Sequence, residues 1–326
     1  MRKNVLEELK KVFGESRVRT DEPMSAHTTF KIGGSAEYYL EVEKIEDLIQ
    51  AVNLARKLGI AVFVLGGGSN IIVCDEGMKG LVVKNNCRRF EVLGIAGKVR
   101  EKKVGVDSAQ VYAESGVILN QLVRFTIEQG LSGLEYQLGL PGTVGGAVFM
   151  NSNFPRKGVY VGDCVYSAKL LSEGQVKEVQ HDYFQFAYDK SILQETQEIV
   201  LSVVFTMKAE DRKLLWERGM EALTYRNETQ PKGSSAGCTF RNISLVEAMQ
   251  IPTSSGVTSA GYLIDKAGLK GMRVGNAMIS DKHANFILNM GDAKASDVTD
   301  LVKAMKNEVL KKFGVHLSLE VRAVGF

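Results

Sequence analysis

VLGGGSNIIVCDEG, residues 64–77, sets three glycines, a serine and an asparagine between two apolar runs. The first run completes AVFVL (61–65), which reads as a buried strand, and the second is β-branched and reads as another strand rather than a helix. A glycine loop that passes from strand to strand is not the G-x-G-x-x-G turn that opens a helix in a Rossmann unit, so a doubly wound parallel fold is disfavoured. Glycine has no Cβ and tolerates positive φ, so such a loop can turn its amides onto an anion such as a pyrophosphate. A tight turn between packed elements is the competing reading.

Upstream, AEYYLEVE (36–43) reads as a strand and KIEDLIQAVNLARKLG (44–59) as a helix closed by Gly59. Downstream, the helix-like VILNQLVRFTIEQ (117–129) leads into a second glycine-rich segment, EQGLSGLEYQLGLPGTVGGAVFMN (128–151). Two such loops on one chain favour a dinucleotide over two unrelated turns. VYSAKLLSEGQVKEV (165–179) reads as a hairpin turning at Ser172, Glu173 and Gly174, and EIVLSVVFTMK (198–208) as a further strand. A helix is expected from about Asp211 to Tyr225, broken by Pro231. GYLIDKAGLKG (261–271), NFILN (285–289), a helix from Ser296 to Phe313 and a terminal strand HLSLEVRAVG (316–325) complete the chain.

The 326 residues are 44% hydrophobic and 24% charged, with a formal net charge of +3, enough for about two globular domains and without the excess of either sign that marks a nucleic-acid partner. The basic stretch KNNCRRFEVLGIAGKVREKK (84–103) reads as a solvated hairpin around a Gly-Ile-Ala-Gly turn rather than a nucleic-acid patch. Cys74, Cys87, Cys164 and Cys238 lie far apart with no C-x-x-C pair, so neither a metal site nor a disulfide framework is expected. MRKNVLEELKKVFGES (1–16) interleaves charged and apolar residues at helical spacing without the continuous apolar stretch of a secretion signal, so a cytoplasmic protein with no membrane association is expected.

TTFKIGG, LGGGSNIIV, GLEYQLGLPGTVGGAVFMN, FAYDKS, YRNETQP, SSAGCTF, SAGYLIDKAGLKG and LEVRAVG, in that order, resemble the UDP-N-acetylenolpyruvoylglucosamine reductase family over nearly the whole chain. The resemblance implies an α+β protein: a two-subdomain FAD-binding fold of the vanillyl-alcohol-oxidase (PCMH) type over residues 1–210, divided near 95, and a C-terminal α+β substrate-binding domain over 211–326. It implies that FAD and NADPH serve the reduction of UDP-N-acetylglucosamine enolpyruvate to UDP-N-acetylmuramate, by a monomer acting on a small nucleotide-sugar substrate. Gly66, Gly67, Gly68, Ser69 and Asn70, with Pro141, Gly142, Thr143, Gly145 and Gly146, would be the two pyrophosphate cradles, with HTTFKIGG and AESG adding contacts.

The chemistry of an enolpyruvyl ether sets the remaining requirements. Hydride arriving at its terminal carbon leaves an enolate at the carbon bearing the ether oxygen, which calls for an acid beside that carbon and donors or cations at the carboxylate. The family places a serine where this chain has Cys238, and a thiol is the stronger acid, so Cys238 is the expected proton donor, ahead of Ser234 and Ser235; a small core residue is the plainer alternative. Glu320 matches the family glutamate that stabilises or protonates the enolate, and the alternation of Leu317, Leu319 and Val321 places it on the face opposite to them. The family arginine that follows Tyr188 is replaced by Asp189 and Lys190, leaving Lys190 or Arg226 for the cationic role. Arg226 and Lys232 are expected diphosphate contacts and Tyr262 a further substrate contact, although surface cations are mostly just solvated. A different FAD-dependent alcohol or hydroxy-acid oxidoreductase, or a non-catalytic nucleotide-sugar binder, are the competing functions.

Overall fold

The computed structural model describes residues 2–100, 103–251 and 256–326. Local chemistry accounts for its elements. The helix Ile45–Lys57 carries Glu46 and Asp47 in its first turn and Arg56 and Lys57 in its last, and buries Leu48, Ala51, Val52 and Ala55 at helical spacing. It stops at Gly59, where φ is +66° and the following Ile60 N–H closes back onto the Ala55 carbonyl at 3.1 Å. In the hairpin of Val165–Ser172 with Gln175–Gln180, both turn residues take positive φ, Glu173 at 48° and Gly174 at 86°.

The chain divides into two units, the first formed by Met1–Val18, Tyr39–Gly67 and Leu81–Arg226, the second by Arg19–Tyr38, Gly68–Gly80 and Asn227–Phe326. In the first, an antiparallel sheet runs in the order Gln175–Gln180, Val165–Ser172, Ile199–Ala209, Lys103–Glu114, Phe90–Arg100. Helices Leu119–Glu128 and Val144–Met150 bury Leu122, Val123, Val144 and Val148 in a core shared with Val111, Val203 and Phe205 of the sheet. The strand Val62–Leu65 pairs in parallel with Leu81 to Lys84. In the second unit, strands Arg273–Val274, Ala277–Ile279 and Ile287–Asn289 form an antiparallel sheet, and the long helix Ala295–Phe313 buries Val298, Leu301 and Met305 against its own separate core. The strand Ile71–Val73 pairs in parallel with Arg322–Val324.

Three details differ from the sequence expectations. Gly94 and Gly97 do not form a turn: both lie inside the strand Phe90–Arg100, beside register shifts at 92/94 and 96/97, because glycines within a strand accommodate bulges. The two strands, Phe90–Arg100 and Lys103–Glu114, stay paired as far as Arg100 opposite Lys103. The terminal strand is regular only over Arg322–Val324, so Glu320 precedes it. Position 210 falls within the first unit, which extends to Arg226. The helix Arg212–Thr229 belongs there because Gly219 lets it lie against Leu138 and the Glu135 carbonyl, which an added Cβ would meet at 3.1 and 3.3 Å.

Candidate active site

In the first unit, three stretches of bare backbone meet. A Cβ at Gly67 would lie 2.7 Å from Gly142 Cα, and one at Gly66 would lie 2.5 Å from Thr143 Oγ1. The 142–145 segment is laid against the 115–119 segment: Leu119 N–H donates to the Gly142 carbonyl at 3.1 Å and Gly145 N–H to the Ser115 carbonyl at 2.8 Å. A Cβ at Gly145 would be 2.8 Å from Ser115 Cβ, and one at Gly116 would be 2.6 Å from the Cys87 carbonyl. Gly66, Gly67, Gly142 and Gly145 are nonetheless half-exposed, while Pro141 and Gly146 are exposed and Thr143 is buried. Accessible main chain without side chains is what close approach to a pyrophosphate needs, so these residues fit a dinucleotide.

Lys84, which the sequence reading passed over, holds this loop from beneath: its Nζ donates to the Gly66 carbonyl at 2.5 Å. Desolvation pulls its pKa below the ordinary lysine range, with Glu41 acting in the opposite direction. The signal available in the sequence was a lysine ending the apolar run GLVV, which reads equally well as a strand emerging into solvent.

The remainder of the glycine loop belongs to the second unit. Gly68 needs its φ of +65°, and a Cβ there would strike the His27 carbonyl at 2.2 Å. Thr29 N–H donates to the Gly68 carbonyl at 3.0 Å, and Thr29 Oγ1 donates to the Ser235 carbonyl at 2.8 Å, tying HTTFKIGG to SSAGCTF. Asn70 donates through Nδ2 to the Glu320 carbonyl at 3.3 Å, and its own carbonyl accepts Arg322 N–H at 3.0 Å.

Cys238 and Glu320 lie on adjacent segments of the second unit. Glu320 N–H donates to the Thr239 carbonyl at 3.0 Å, and Phe240 bridges to Leu319. Cys238 is half-buried, whereas the other three cysteines are buried. Burial pushes the Cys87 and Cys164 thiols up to about 12, and raises Cys74, which also donates to the carbonyls of Gly77 and Gly325 at 3.0 and 2.9 Å. Cys238 is thus the least buried of the four thiols.

The expected substrate residues are placed as follows. Tyr188 is exposed. Asp189, at the position of the family arginine, is buried with φ of 48° and accepts Asn153 Nδ2 at 2.7 Å. Lys190 pairs with Glu195 at 2.8 Å on the surface. Arg226 is not a solvated cation: it is buried on the helix Arg212–Thr229, its guanidinium 5.5 Å from the centre of the Phe154 ring and donating to the Tyr136 carbonyl at 3.4 Å. In the second unit, Lys232 is exposed, and Tyr262 lies in the first turn of the helix Ala260–Lys266, its N–H capped by Ser259 Oγ at 3.2 Å. Among the described residues no cluster of His, Cys, Asp and Glu could hold a metal, and no helix is long and apolar enough to cross a membrane.

Two family models match the chain. Residues 36–180 match the model of an FAD binding domain, and residues 230–324 that of the C-terminal domain of UDP-N-acetylenolpyruvoylglucosamine reductase. Reductases of that name from Lachnoclostridium phytofermentans and Desulforamulus reducens are 34% and 36% identical, over 98% and 94% of this chain and 97% and 94% of theirs. The crystal structure of the Thermus caldophilus reductase is 33% identical, with a TM-score of 0.73 over 94% of this chain and 99% of that one. The α+β architecture of an FAD-binding domain followed by a C-terminal domain is therefore the fold of this chain.

Proposed function

The chain belongs to the UDP-N-acetylenolpyruvoylglucosamine reductase family, and from that premise we propose that it reduces UDP-N-acetylglucosamine enolpyruvate to UDP-N-acetylmuramate for peptidoglycan synthesis, with NADPH as reductant and Cys238 as proton donor. Bound at the cradle of Gly66 to Asn70 and Pro141 to Gly146, FAD reduced by NADPH would supply the hydride for the terminal carbon of the enolpyruvyl group. The carbon–carbon π pair then resides on the carbon bearing the ether oxygen, delocalised into the carboxylate, and this is the charge that the protein has to meet. Cys238 gives its thiol proton to that carbon and recovers one from water, which completes the addition of a hydride and a proton across the double bond. Glu320, whose N–H bonds the Thr239 carbonyl, is the proposed group that stabilises or protonates the same enolate. Tyr188, Lys190, Arg226, Lys232 and Tyr262 are the proposed substrate contacts, and for Lys190 to reach an anion its ion pair with Glu195 has to open. Gly66 to Asn70 and Pro141 to Gly146 are the proposed cofactor cradle.

The observation that carries this reading is the backbone bond from Glu320 N–H to the Thr239 carbonyl, which sets the segment of Glu320 against the segment of the least buried thiol, Cys238. Cys238→Ala should accept electrons from NADPH at a near-normal rate yet lose turnover on the order of 10²-fold, the cost of a missing general acid. Cys238→Ser should recover much of that loss, since a hydroxyl can donate from the same place. Anaerobic stopped-flow separates the two half-reactions, and wild-type turnover by the alanine variant would remove Cys238 from the mechanism.

A further inference from the structure

Asn285 is buried, with 2% of its surface exposed, and its side chain grips one residue at both ends. Its Oδ1 accepts Phe240 N–H at 3.0 Å and its Nδ2 donates to the Phe240 carbonyl at 2.7 Å. Its own carbonyl accepts Thr239 N–H at 2.7 Å. The primary amide thus reproduces what a neighbouring strand's peptide would offer, and does so where the Cys238–Phe286 bridge precedes the regular strand Ile287–Asn289. Asn285 is itself fixed: its N–H donates to His283 Nδ1 at 3.3 Å, and burial lowers the His283 pKa, which favours the neutral ring that this bond requires.

The other edge of the same three residues holds Glu320. Thr239 carbonyl accepts Glu320 N–H at 3.0 Å, and Arg241 N–H donates to the Ser318 carbonyl at 2.9 Å. Residues 238–241 are therefore held against 318–320 on one edge and against 283–286 on the other, and the Asn285 side chain makes two of the bonds on that second edge. No sequence motif marks it, because its partner Phe240 lies 45 residues away.

We propose that Asn285 is a positioning residue for the protonation step, holding Cys238 in register with Glu320 through the Phe240 and Thr239 peptides. It touches neither substrate nor cofactor in this role. Losing its two side-chain bonds leaves the Phe240 peptide buried without partners, and the segment shifts to recover them. The proposal rests on Cys238 being the acid.

The test uses the holoprotein, its flavin reduced anaerobically with dithionite and mixed with UDP-N-acetylglucosamine enolpyruvate. In Asn285→Ala, flavin content and the rate of reduction by NADPH should stay within about two-fold of wild type while reoxidation by the substrate slows on the order of 10²-fold, as for a displaced catalytic group. In a Cys238→Ala background the same change should add less than about three-fold, because the group that it positions is already gone. Equal losses in both half-reactions, full multiplication of the two effects, or an unimpaired Asn285→Ala would each overturn the assignment. If alanine prevents folding, Asn285→Asp, which keeps the shape and the acceptor for Phe240 N–H, is put through the same comparison. Wild type is read first: reduced wild-type protein that the substrate fails to reoxidise refutes the proposed reaction itself, whatever the variants do.

Discussion

Gly67 is where a single added carbon tests the proposed cofactor cradle. Its missing Cβ would sit 2.7 Å from Gly142 Cα, which is backbone and cannot rotate aside as a flexible side chain can. Gly67→Val should therefore force the two cradle segments apart and yield a folded but colourless protein, with flavin content measured after denaturation and folding checked by circular dichroism. Full retention of FAD in that variant would remove the cradle from residues 66–67 and 142. At this scale the glycine segments stand out in the sequence because their chemistry is local, whereas Cys238 and Glu320 are singled out only through resemblance, since a lone thiol or carboxylate announces no role. Lys84 and Asn285 were not legible at all. Each acts through a partner remote in sequence, and each sits in a stretch that reads as ordinary strand.

At the scale of elements, the sheet of the first unit is tied at one edge by a carboxylate. Glu198, just ahead of the strand Ile199–Ala209, accepts Lys177 Nζ at 2.6 Å, Tyr183 Oη at 2.6 Å and Thr196 Oγ1 at 3.0 Å. Burial works to raise its pKa, but these donors outweigh it and bring the group down to about 2. A carboxylate whose folded pKa is depressed stabilises the fold above its unfolded pKa, near 4.5, and loses that contribution as pH falls towards 2. Glu198→Gln should cost about 1–2 kcal/mol at neutral pH, discounted for the partly exposed lysine, and the gap to wild type should close as the pH falls through that window. Urea unfolding midpoints at neutral and acid pH check both halves. The hairpin that Glu198 braces was predictable from Ser172-Glu173-Gly174, because two residues at positive φ demand a glycine or a tolerant polar residue. The same rule misled at Gly94 and Gly97, where glycine relieves bulges within a strand instead of making a turn.

For the whole molecule, each unit has its own core, and the segments of each core come from distant parts of the chain. A ligand that binds only the folded chain adds RT ln(1 + [L]/Kd), about 2.7 kcal/mol at a hundred-fold excess over Kd, so FAD should raise Tm by several degrees in a concentration-dependent way. Differential scanning fluorimetry of apoprotein against added FAD reads this, with Gly67→Val as the insensitive control; an unmoved wild-type Tm would contradict cofactor binding to the native state. What the sequence determined by itself was whatever depends on neighbours within a few residues: the glycine loop passing between strands, the helix over Ile45–Lys57 with its Gly59 stop, the hairpin at 172–175, and the ordered motifs that mark the family. What only the tertiary structure decided was which distant residues share a hydrogen bond. Residues 68–80 join the second unit, Lys84 underpins Gly66, and the Thr239 carbonyl accepts Glu320 N–H. These pairings close loops of tens to hundreds of residues, and they form because buried peptide groups must find partners wherever the chain brings them, a requirement that no local pattern encodes.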